Sequence, residues 1–126
     1  MSCLNLPVTH EAVALDLDRL TALCQAMEPQ RIEECISLAL ERIAVELSAT
    51  ERAWCDQDWD RMLDGLDLVG RTAGQFGMIK LAAVAGTVRD ACETGDRVAI
   101  SATLARLLRV GERSLIAVWD RHGVGG

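Results

Sequence analysis

The chain has few aromatic residues: 3% of its 126 residues, three Trp and one Phe with no Tyr. A β-sandwich builds its core from aromatic and β-branched side chains. That scarcity, beside a 50% hydrophobic content carried mostly by Leu, Ala, Ile and Val, points to packed helices. Proline is also scarce, at two residues, so long stretches run free of helix breakers. The five cysteines, Cys3, Cys24, Cys35, Cys55 and Cys92, form no C-x-x-C pair, and the two histidines add no zinc spacing. The thiols therefore read as reduced and structural, with no metal site and no cofactor expected. Basic residues are outnumbered, 13 against 19 acidic, for a formal charge of −6. Phosphate backbones are bound by clustered Lys and Arg, so nucleic acid is excluded as a partner and a basic protein surface fits the sign. No apolar run reaches the roughly 20 residues of a membrane span. The opening MSCLNLPVTHEA has neither the basic n-region nor the apolar stretch of a secretory signal. The expectation is a cytoplasmic protein with no membrane contact.

At this length one domain, residues 1–126, is expected. Thr9 can cap a first helix over about 9–27, in which Val13, Leu17, Leu20, Cys24 and Met27 recur at steps of four, three, four and three. Pro29 interrupts it, and a second helix over about 30–54 aligns Ile32, Ile36, Ala39, Leu40, Ile43 and Leu47. Ser48-Ala49-Thr50-Glu51 matches a capping box, but Cys55-Asp56-Gln57-Asp58 makes a better loop and cap. The third helix, about 58–75, then buries Trp59, Met62, Leu63, Leu66, Val69 and Ala73, with Asp60, Asp64, Asp67 and Arg71 on a polar stripe. Gly74-Gln75-Phe76-Gly77 stops it. A fourth helix over 78–93 carries Leu81, Val84, Ala85, Val88 and Cys92, and Thr94-Gly95-Asp96 supplies a stop and a new cap. The fifth, 96–121, buries Leu104, Leu107, Leu108, Leu115 and Trp119. Gly65, Gly70, Gly86 and Gly111 fall inside these helices, where each costs about 1 kcal/mol against alanine, so close helix approach is expected. For Gly70, beside the polar stripe, close approach of a partner's backbone is an equal reading. The fold class is all-α: an antiparallel four-helix bundle with an additional N-terminal helix.

From Asp58-Trp59 through Leu66 to Gly74-Gln75-Phe76-Gly77, and onward through Leu81-Ala82-Ala83 to Arg89-Asp90-Ala91-Cys92-Glu93-Thr94-Gly95-Asp96, the chain resembles the histidine-containing phosphotransfer domain of bacterial phosphorelays. The likeness spans roughly residues 30–120. In that family a helix opens on an acidic residue, carries His-x-Leu-Lys-Gly in its middle and ends in a Gly-x-x-Gly turn. The resemblance implies a role in two-component signal transduction, with a histidine kinase or a response-regulator receiver domain as partner.

Counted back from Gly77, the phosphorylatable histidine position falls on Asp67, the usual lysine on Gly70 and the usual glycine on Arg71. A one-residue slip puts Leu66 at the histidine position instead. Either register lacks the nucleophile. Phosphotransfer of this type needs an exposed imidazole to attack an acyl phosphate and a cation to offset the phosphoryl charge. Asp60 and Asp64 flank Asp67, and like charges about 6 Å apart repel by roughly 0.7 kcal/mol each in water. Arg71 can offset part of this as an i,i+4 pair with Asp67. His10, in the first helical turn, and His122, near a fraying end, read as surface residues. The reading is a non-enzymatic, phosphotransfer-like module with no catalytic residue, whose partner-binding face comprises Asp60, Asp64, Asp67, Gly70, Arg71 and Gly74. The alternative is a structural or dimerising helical bundle with no relay role, and a homodimer is compatible with both.

Overall fold

The computed structural model describes residues 15–122, and every regular element among them is a helix. They are α1 Leu17–Gln25, α2 Pro29–Cys55, α3 Trp59–Gln75, α4 Ile79–Thr94 and α5 Arg97–His122. Each of α2, α3 and α4 packs on its successor and α5 returns to α2, which makes a helical bundle. Its core includes the fully buried Ile36, Ile43, Met62, Leu66, Leu81 and Leu104. No helix among the described residues is long and apolar enough to cross a membrane.

The helix ends follow local chemistry. Pro29 opens α2 where its missing N–H is no loss. The Asp58 carboxylate accepts from the Arg61 amide, and the Asp96 carboxylate accepts from the Val98 and Ala99 amides. Gly95 ends α4 at φ +73°. The Ser48–Glu51 run does not break α2, because the Thr50 hydroxyl donates to the Glu46 carbonyl (2.7 Å) within the continuing helix.

The first helix departs from expectation. Thr9 lies outside the described residues, and α1 begins at Leu17, with the Asp16 side chain accepting from the Arg19 amide as N-cap. Asp16 cannot be helical because its own amide donates to the Gly77 carbonyl at 2.6 Å, which ties the extended chain to the α3–α4 turn. Gly77 is obligatory there: its φ is +78°, and a Cβ would lie 2.5 Å from the Asp16 carbonyl oxygen. Two residues assigned to the core are partly exposed, Trp59 at 39% and Trp119 at 40%. Both sit near helix ends, where the periodic stripe runs past its neighbours. Cys55 is disulfide-bonded, which corrects the reading of five reduced thiols, whereas Cys24, Cys35 and Cys92 are free.

Close approach explains Gly65, where a Cβ would overlap the Thr50 hydroxyl, and Gly111, which faces Leu47. It does not explain Gly86, whose surroundings are open. Beside Gly65 the Glu46 side chain, 10% exposed, accepts from Arg61 of α3 at 2.9 Å, and Arg42 lies 3.7 Å away. Gly65→Ala forces Thr50 and its helix outward, and we expect it to cost about 2 kcal/mol. Urea unfolding followed by circular dichroism measures this; an unchanged midpoint would mean that α2 and α3 have room to spare.

Candidate functional site

Residues 60, 64, 67 and 71 step along one side of α3, opposite the buried Met62, Leu66, Val69 and Ala73. All four side chains are exposed. The structure adds a residue that the sequence reading did not select: Arg89 of α4 forms an ion pair with the Asp67 carboxylate. Arg71 does not make the expected i,i+4 pair. Its Nε donates instead to the Asp67 backbone carbonyl at 3.4 Å, while the carboxylate goes to Arg89 across the helix boundary.

The remaining members of the predicted face separate. Gly70 faces α4, where an added Cβ would meet Ala85 at 3.8 Å, an ordinary contact that does not demand glycine. The Gly74 carbonyl accepts from Arg19 of α1 at 2.9 Å, so this end of the face is bridged by α1. Asp60 and Asp64 are exposed and form no ion pair with a cation among the described residues. The face is therefore bipolar, with Asp60 and Asp64 toward the start of α3, the paired Asp67 and Arg89 in the middle, and Arg71 and Arg19 toward its end.

Asp67 raises the Arg89 guanidinium above its ordinary value, first through the hydrogen bond and then through its charge, with Glu93 adding to the effect. One turn further along α4, burial pushes the Cys92 thiol up while the charge of Arg89 opposes it. Cavities of about 490 Å³, along Ala26 to Leu38, and about 370 Å³, beside Trp59 and Arg97, have linings that include none of the Asp60–Gly74 face residues. No group of three or more His, Cys, Asp and Glu that could hold a metal occurs among the described residues. His10 lies outside them. At its centre the face presents a carboxylate held by a guanidinium.

No model of a known protein family matches the chain, and no curated protein or solved structure matches it.

The Arg89 environment makes a measurable claim. Cys92 should be alkylated by iodoacetamide with a pH midpoint above the ordinary thiol value of 9.0, and Arg89→Ala, by removing the opposing cation, should move it higher still. Since the folded state holds this proton more tightly, the contribution to stability is full below the ordinary thiol value and declines as pH rises past it. Mass spectrometry of the Cys92 peptide reads the midpoint; a downward shift in Arg89→Ala would contradict the assignment.

Proposed function

We propose that the chain is a phosphotransfer-like signalling module that carries no phosphoryl group and acts by docking a histidine kinase or a response-regulator receiver through the Asp60 to Arg71 face of α3. On this reading α2 to α5 form the antiparallel four-helix bundle of that family, with α1 as an additional helix. The observation that carries it is Asp67: the position that the sequence register assigns to the reactive histidine sits exposed in mid-helix, its carboxylate paired to Arg89. The surface is open where a partner would approach, and the nucleophile is replaced by half of an ion pair. A receiver's phosphoaspartate pocket is itself acidic, so Arg71 supplies the attraction and Arg89 neutralises the central Asp67 carboxylate, while Asp60 and Asp64 restrict which partner surface fits.

Incubation with a phosphorylated receiver should leave no acid-labile phosphate on this chain; stoichiometric transfer would end the proposal. Changing Arg71 and Arg89 together to Glu should remove a kinase or receiver recovered by the natural protein in a pull-down, with helical circular dichroism unchanged. Retention of that partner by the charge-reversed protein would favour the structural reading. That second reading has its own observation: Leu38 and Val45, seven residues apart, are more than half exposed on the outer side of α2, which suits self-association. Sedimentation of Leu38→Glu against the natural chain separates the two.

A further inference from the structure

Trp54 lies in the last turn of α2 and Trp59 opens α3, and their rings meet edge to face with centroids 5.7 Å apart at 68°. The guanidinium of Arg97, the first residue of α5, lies over both, with its Cζ 5.3 Å and 5.9 Å from the two centroids. The adjoining cavity of about 370 Å³ is lined by Trp59, Cys92, Gly95, Arg97 and Ile100. Because Trp59 is partly exposed, some of its indole remains available to a second molecule at the cavity mouth.

The chain around this corner is acidic. Asp56 and Asp58 lie on the connection into α3 and Asp60 in its first turn, while Glu93 lies in the last turn of α4 and Asp96 on the connection into α5; all five are exposed. Asp58 and Asp96 are engaged in capping helix amides, which leaves Asp56, Asp60 and Glu93 as outward carboxylates. A guanidinium already stacks on this indole pair, so the surface accepts a planar cation. The sign of the surrounding charge selects the ligand: an incoming anion would meet several carboxylates, whereas an incoming cation would be drawn by them.

We propose that this corner receives an arginine side chain from a basic segment of a partner protein, stacked on Trp59 beside or in place of Arg97 and paired with the outward carboxylates. Arginine suits it better than lysine, because the planar guanidinium can stack with its face and donate with its edge at once. The inference does not depend on the proposed relay role, since Asp67 lies about 12 Å further along α3 at the rise of an α-helix.

The test uses the full chain carrying Trp119→Phe, so that fluorescence reports Trp54 and Trp59 alone. It is titrated with blocked octapeptides alternating Gly with Arg, with Lys or with Glu. The Arg peptide should change the emission saturably and bind at least about fivefold more tightly than the Lys peptide, with no response to the Glu peptide. Arg97→Ala should tighten Arg-peptide binding about threefold, the effect of removing one like charge some 6 Å away in water. Asp56→Asn with Glu93→Gln should weaken it by a similar factor, and Trp59→Leu about tenfold, with partial recovery in Trp59→Phe. Asp67→Asn should leave it unchanged. Equal response to Arg and Lys would overturn the proposal in favour of unspecific charge attraction. Binding of the Glu peptide, lost in Arg97→Ala, would overturn it in favour of an anion receptor.

Discussion

The bundle hinges on how closely α2 and α3 approach. Residue 65 has no side chain, and the Thr50 hydroxyl occupies the space that a Cβ would need. Beside this contact the nearly enclosed Glu46 carboxylate is met by Arg61 from the opposite helix. A carboxylate in such a place is costly unless paired, so the pair penalises any rotation of α3 that would withdraw Arg61. Rotation of α3 is the variable that decides which residues it presents outward. With Met62, Leu66, Val69 and Ala73 turned inward, positions 60, 64, 67 and 71 have no other place than the surface. The placement of the candidate site is thus a consequence of contacts made on the far side of the same helix.

The charge layout of that site follows from a second contact, between α3 and α4. An uninterrupted acidic stripe would repel itself and any acidic partner. Arg89 cancels the central carboxylate, and the field becomes one of separated ends with a neutral pair between them. A surface of this kind contributes orientation and selectivity more than affinity, because exposed charges are largely hydrated and screened.

The periodicity of the apolar residues made the helical class and the four long helices legible, since caps such as Asp58 and Asp96 and the stop at Gly95 lie beside clear breaks in the pattern. The start of α1 was not legible, because it is fixed by the bond from Asp16 to Gly77, sixty-one positions away, and not by the spacing of Leu17, Leu20 and Cys24. Arg89 was overlooked for a similar reason. The stripe on α3 was read along one helix, where Arg71 is the obvious partner, yet the structure answers Asp67 from the next helix. The signal was present: folding the chain back at Gly77 sets Gly70 near Ala85 and therefore Asp67 near Arg89. The Trp54, Trp59 and Arg97 cluster was less accessible still, for periodicity assigned Trp59 to the core, and only the meeting of two interhelical connections brings Arg97 to it.

Those separations decide how free position 67 is to vary. The groups that hold the bundle together, Gly65 with Thr50, Glu46 with Arg61, and the turn at Gly77, are all distinct from the exposed side of α3. Position 67 makes its ion pair in solvent and contributes no core contact, so its identity is nearly free with respect to folding. A histidine there would be tolerated by the same backbone, and its absence places no strain on it. A substitution at position 67 therefore leaves shape and exposure intact and changes only the charge that this side of α3 presents.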